Sequence, residues 1–246
     1  MVTYNETEKI LFSADAFGTY GTLDGGILDS ELNADLYWEE MVRYYANIVG
    51  KYGNPVQKAL QKLSSLDIQT ICSTHGPVWQ QEIKKVIAIY DRLSRYETEE
   101  GVTIIYGSMY GNTEQMAETI ASSISAEGIK NIVMHNVSKS PASFILKDVF
   151  KYKGILIGSP TYSGDIFPKI DSMLKMLEVR EVKNRIFGYF GSFTWAGAAV
   201  KRLTAFNEKM KWEVVGDPVE MKQSMNVETV EKCVRLGQAM AEKILI

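Results

Sequence analysis

Residues 102–113, Val-Thr-Ile-Ile-Tyr-Gly-Ser-Met-Tyr-Gly-Asn-Thr, join a β-branched apolar run to a short loop of hydroxyls and glycines. A helix-forming segment, residues 114–127, follows at once. A strand–loop–helix unit of this kind is suited to holding an anion. The first amides of a helix have no intrahelical partner, point outward and carry partial positive charge. Gly107 and Gly111 let the backbone approach a ligand, Ser108 and Thr113 bring hydroxyls, and Asn112 brings an amide. Two familiar phosphate loops are absent. No G-x-x-x-x-G-K-[ST] supplies a lysine to a β/γ-phosphate, and no G-x-G-x-x-G supplies a dinucleotide fingerprint.

A phosphate held by hydroxyls and amides alone suits a terminal monoester, such as that of FMN. An ordinary N-capped βα turn would use the same residues, so the elements around the loop must decide. From residue 101 onward strands and helices alternate. Strands are expected at 102–107, 131–137, 154–158, 185–190 and about 212–221. Helices are expected at 113–127, 141–150, 166–178, 197–210 and about 226–245. Ile155, Leu156 and Ile157, with no polar alternation, read as a strand buried on both faces. Repeated βα units imply a doubly wound five-stranded parallel sheet of the flavodoxin-like type, with its binding crevice at the carboxyl ends of the strands.

That architecture makes an independent demand: the loops after the third and fourth strands should also suit the ligand. They read Ser159-Pro160-Thr161-Tyr162-Ser163-Gly164-Asp165 and Gly191-Ser192-Phe193-Thr194-Trp195-Ala196-Gly197. Both are rich in glycine and hydroxyls, and both carry aromatics. Tyr162 and Trp195 could flank a flat isoalloxazine ring, and backbone groups beside Gly164 and Gly197 could bond its polar edge. The expected cofactor set is therefore Ser108, Met109, Tyr110, Gly111, Asn112 and Thr113 in the first loop. It continues with Pro160, Thr161, Tyr162, Ser163 and Gly164 in the second, and Ser192, Phe193, Thr194, Trp195 and Gly197 in the third. Asp165 reads as the N-cap of a helix at 166, Lys169 and Lys175 as its polar face, and His135 as a structural residue in the second strand.

Composition excludes several classes. With 27 Lys and Arg against 30 Asp and Glu, the net charge of −3 argues against nucleic-acid binding and against a polybasic membrane surface. No apolar run reaches the roughly 18 residues of a membrane span, and the first residues contain no signal-peptide core. A cytoplasmic location is expected. Cys72 and Cys233 form no metal or redox motif and are expected to be reduced. The N-terminal part is less regular, with strands at 10–13 and 68–72, helices at about 33–50, 54–65 and 79–95, and a polar boundary near 96–101.

The three loops resemble those of flavodoxins. The order of the whole chain resembles the flavodiiron proteins, or A-type flavoproteins, in which a metallo-β-lactamase-like diiron domain precedes a flavodoxin domain. Residues 101–246 match the flavodoxin half, including Ser-Met-Tyr-Gly-Asn-Thr, Ser-Pro-Thr-Tyr and Gly-Ser-Phe-x-Trp. Residues 1–100 resemble the end of the diiron domain, through Ile-Leu-Phe-Ser-Ala-Asp-Ala-Phe-Gly (10–18) and Ser-Thr-His-Gly-Pro-Val-Trp (73–79). The resemblance implies Asp15 as the carboxylate bridging two irons and His75 as a terminal iron ligand. The family's H-x-E-x-D-H cluster belongs upstream of Asp15, and no such cluster occurs in these 246 residues. The expectation is an N-terminally truncated relative: an FMN electron-transfer flavoprotein that does not hold iron by itself. The alternatives are an oxygen or nitric oxide reductase completed by a partner chain, and a flavin-dependent NAD(P)H or quinone oxidoreductase. The implied partners are electron donor and acceptor proteins. A half-sandwich would also leave an apolar face to be covered by a second copy or by a chain supplying the missing half.

Overall fold

The computed structural model describes residues 2–246. The chain divides into two compact units, Met1–Thr98 and Glu99–Ile246.

In the first unit β1 (Thr3–Asn5) pairs antiparallel with β2 (Ile10–Ala14), and β2 pairs parallel with β3 (Thr70–Ser73). Side chains alternate across this small sheet. Leu11, Ser13 and Ile71 are buried on one face, whereas Phe12 on the other is 49% exposed beside half-exposed Cys72. Helix α1 (Asp35–Tyr44) supplies Met41 to the core and α3 (Ile83–Ser94) supplies Val86, Tyr90 and Leu93, with Trp79 joining them, while α2 (Gly53–Leu63) is buried only at Gly53. The single helix expected over 33–50 is interrupted. After α1 the hydrogen bonding widens to a π-helical turn at Tyr45–Val49 and then tightens to a 3-10 turn at Gly50–Tyr52. Asp29, a buried carboxylate, fastens the head of α3 by accepting from the amides of Gln80, Gln81 and Glu82 at 2.9–3.1 Å.

The second unit is built on β4 (Glu99–Tyr106), β5 (Ile132–Asn136), β6 (Tyr152–Tyr162), β7 (Asp165–Ile166), β8 (Ile186–Phe193), β9 (Glu213–Val214) and β10 (Val219–Lys222). Its helices are α4 (Asn112–Ala126), α5 (Ala142–Lys151), α6 (Pro168–Arg180), α7 (Ala199–Met210) and α8 (Val227–Leu245). The main strands run parallel in the order β10-β8-β6-β4-β5. Counted along this unit the order is 2-1-3-4-5, that of the flavodoxin-like doubly wound fold. Ile155, Leu156 and Ile157 are wholly buried, as a strand with helices on both faces requires. One face packs Ile104, Leu156 and Phe190 against Met116 and Ile120 of α4 and Leu236 and Met240 of α8.

Two elements differ from expectation for identifiable reasons. The fifth strand is split into β9 and β10, because Gly216 turns the chain with φ of 61° and Pro218 has no N–H to give a ladder. The helix expected from 166 starts instead at Pro168, which occupies its first turn. Residues 162–165 form a tight hairpin, with Tyr162 opposite Asp165 and positive φ at Ser163 (49°) and Gly164 (77°). Asp165 is therefore not a helix cap; its Oδ1 accepts from the amide of Ile166 at 2.7 Å. His135 is buried in β5 with Nε2 2.7 Å from Oδ2 of Asp148, which ties that strand to α5.

Candidate functional site

At the carboxyl ends of the parallel strands four loops enclose a shallow cleft. Ser108, Met109, Tyr110, Asn112 and Thr113 line it after β4, and Pro160 and Thr161 toward the end of β6. Ser192, Phe193 and Thr194 line it at the end of β8, and Gln223 just after β10. Gly111 precedes α4 with φ of 86°, a left-handed conformation that would strain a residue with a Cβ. No side chain caps α4. Its first amides thus have no side-chain cap and carry their partial positive charge at the helix start, where Asn112 and Thr113 line the cleft. The amide of Gly111 donates to Ser108 Oγ at 3.1 Å, leaving the serine proton for another partner. Thr113 Oγ1 lies 2.8 Å from Ser192 Oγ, and both residues are buried, so this hydroxyl pair ties the first loop to the end of β8.

Neither lysine nor arginine lines the cleft. The nearest carboxylate in the α4 turn is already engaged, since Tyr106 Oη donates to Glu114 Oε1 at 2.7 Å. Burial first, and this bond with the Glu114 charge second, push the Tyr106 phenol up to about 12. On the opposite wall Thr161 Oγ1 accepts from the amides of Ala198 (3.0 Å) and Ala199 (3.3 Å) at the head of α7.

The remaining expected residues sit around the cleft rather than in its lining. Tyr162 is 45% exposed and meets Phe167 edge-on at 6.2 Å, Trp195 is 92% exposed, and Ser163 and Gly164 form the hairpin tip. Two glycines have a packing role the sequence did not suggest. A Cβ on Gly107 would fall 2.7 Å from the ring of Phe167, and one on Gly197 would fall 2.2 Å from Glu220 Oε1. Gln223 was missed by the sequence reading. It has φ of 66° and its amide donates to Phe193 O at 2.7 Å, which draws the end of β10 to the cleft. Its position just past the fifth strand, at the carboxyl edge, was the available signal.

The first unit brings Asp15 and His75 together at the ends of adjacent parallel strands. His75 Nε2 is 3.8 Å from Asp15 Oδ1, and Thr74 Oγ1 donates to the same oxygen at 3.0 Å. The ring of Tyr44 lies 5.6 Å from that of His75, and burial, reinforced by the Asp15 charge, pushes its phenol up to about 12. Ala14 and Phe17 on either side of Asp15 have φ of 51° and 65°, a strained conformation for residues other than glycine. Among the described residues no group of three or more His, Cys, Asp or Glu side chains is gathered to hold a metal ion.

A 2-1-3-4-5 parallel sheet with an uncapped helix start and hydroxyl-rich loops at one edge defines a flavodoxin-like binding domain. The chain belongs to the flavodoxin family, whose model matches residues 104–237, over half of its length. Similarity extends beyond that domain. A nitric oxide reductase of Moorella thermoacetica is 29% identical over 99% of this chain and 61% of its own. The rubredoxin oxygen:oxidoreductase of Desulfovibrio gigas superposes with a TM-score of 0.95 at 26% identity, covering 100% of this chain and 62% of that one. The flavodiiron protein of Giardia intestinalis does so with 0.93 at 26% identity, covering 99% and 60%. These matches include both units, and the first unit shares the fold of the metallo-β-lactamase-like part of such proteins. The chain spans about three fifths of the length of these relatives. Among the described residues no helix is long and apolar enough to cross a membrane.

Proposed function

We propose that the second unit binds FMN and that the chain is an electron-transfer flavoprotein of flavodiiron ancestry. The observation that carries this is the start of α4: unpartnered amides beside hydroxyls and an amide side chain, with no cation in the lining. Such a donor set suits a phosphate monoester and gives no support to a di- or triphosphate. Ser108, Asn112, Thr113 and the first amides of α4 would hold the phosphate. Thr161, Phe193, Thr194 and Gln223 would meet the ribityl chain and ring, and exposed Tyr162 and Trp195 are free to cover the ring. FMN, when bound, supplies one- and two-electron redox chemistry, so no side chain has to act as acid, base or nucleophile. The protein's part is to bind, orient and exclude water. Electron donor and acceptor proteins are the implied partners. Titration of the apoprotein with FMN, followed by quenching of flavin fluorescence, tests the reading; saturation at one FMN per chain supports it.

A second reading is a nitric oxide or oxygen reductase. It is favoured by the Asp15–His75 pair and by the names of the Moorella and Desulfovibrio relatives. Two ligands are too few for two irons, so further ligands would have to come from polypeptide outside these residues. The open face of the first unit, with Phe12 and Cys72, would then be covered by that polypeptide or by a second copy. Iron analysis of the protein purified with its native partners separates the two readings: two irons per FMN favours the reductase, none the carrier.

A further inference from the structure

We propose that Thr161 acts as an obligate hydrogen-bond donor in the cleft, fixing which edge of the bound flavin faces the end of β6. The inference rests on the FMN reading and deepens it. A threonine hydroxyl has one proton to give and two lone pairs to accept with. Both acceptor positions are taken, by Ala198 N at 3.0 Å and Ala199 N at 3.3 Å. These are the amides at the head of α7, and the residue at the N-cap position, Ala198, has no side-chain oxygen with which to cap it. Thr161 therefore caps α7 from another strand. Its side chain is partly exposed and lines the cleft beside Pro160, Phe193 and Thr194.

The consequence is a fixed polarity. With its oxygen committed, Thr161 can offer the cleft only its proton. The positive end of α7 polarises that hydroxyl and strengthens it as a donor. The flavin edge carries both acceptors (the carbonyl oxygens and unprotonated ring nitrogens) and a donor (the imide N–H). Thr161 admits an acceptor at its position and rejects the imide N–H. The Thr113–Ser192 pair differs, because either oxygen there can donate and the pair can reverse to suit its ligand. The same bonds link the wall at the end of β6 to the loop bearing Trp195, so the cap also fixes where the donor stands.

Three variants separate capping from donation. Thr161→Ser keeps both, Thr161→Val keeps neither, and Thr161→Asp can cap α7 but has no proton to offer. The readouts are apoprotein thermal midpoint and the dissociation constants of FMN and of riboflavin, which lacks the phosphate charge. The serine variant is expected to stay within about threefold of the parent for both flavins. Valine is expected to lower the midpoint and raise both constants at least tenfold. Aspartate is expected to restore the midpoint while leaving riboflavin binding at least tenfold weaker. Parental riboflavin binding by the aspartate variant, or parental flavin binding by valine despite a lower midpoint, overturns the donor role alone. If the parent protein itself binds neither flavin, the FMN reading falls first and this inference with it.

Discussion

Thr113 has two tasks in this account, and replacing it by valine should reveal both. The residue is buried, and its hydroxyl sits 2.8 Å from that of Ser192 at the end of β8. Valine keeps the shape but leaves Ser192 without that partner in a buried place, which should cost the apoprotein about 1–2 kcal/mol. If the hydroxyl also donates to a phosphate oxygen, its loss removes a hydrogen bond to a charged acceptor. That is worth about 1.5–3 kcal/mol, or about 10- to 150-fold in the FMN dissociation constant. Urea unfolding of the apoprotein measures the first effect, and FMN titration followed by fluorescence quenching measures the second. Riboflavin supplies the control, because without a phosphate its affinity should change much less. A variant that is less stable yet binds FMN with the parental constant would refute the reasoning. Thr113 would then be a brace only, and the phosphate would lie elsewhere.

Other outcomes follow from the same structure. Asp29→Ala removes the acceptor for three amides at the head of α3 and should destabilise the first unit by about 2–3 kcal/mol, read from tryptophan fluorescence during unfolding; no change would show that solvent serves those amides equally well. Gly158→Ala would set a Cβ 2.1 Å from the buried ring of Phe190, an overpacking expected to cost about 1–3 kcal/mol in denaturant unfolding. Burial, with the Glu114 bond and charge, pushes the Tyr106 phenol from its ordinary 10.0 up to about 12, so the folded state holds its proton longer. Its contribution is complete below pH 10 and is lost as pH rises from 10 to 12; Tyr106→Phe should flatten the fall in stability across that window, and an identical fall would contradict this. Burial pushes both thiols up, Cys233 to about 11, but Cys233 is fully buried and Cys72 is partly exposed, so a maleimide should label Cys72 first in the native protein. Protection of Cys72 in an oligomer, relieved on dilution, would mark the Phe12 face as the covered one.

Much of the second unit was legible because its signals are local and redundant. Unbroken apolar strands, amphipathic helices and glycine-hydroxyl loops recur in one order, and the parallel sheet brings the loops to one edge. The loop at 108–113 was legible for the same reason: a β-branched run and a helix start fix where its amides point. What escaped depends on contacts distant in sequence. Thr161 read only as a ring contact, and its second task, accepting from the amides of Ala198 and Ala199 at the head of α7, was hidden; Gly197 read as a ligand-approach glycine, although Glu220 lies against it. The hairpin at 162–165 was hidden by a helical pattern, although Pro168 at the helix's first turn was a readable sign. In the first unit β1 is only three residues long and carries no apolar alternation, and no local pattern announces the π-helical turn after α1, where Tyr45 and Ala46 are buried.

The most direct test of the central claim is the visible absorption spectrum of the purified protein after incubation with FMN and removal of free flavin. The account predicts retained flavin bands corresponding to one FMN per chain, shifted from those of free FMN by the cleft. A colourless protein that stays colourless after incubation would contradict it.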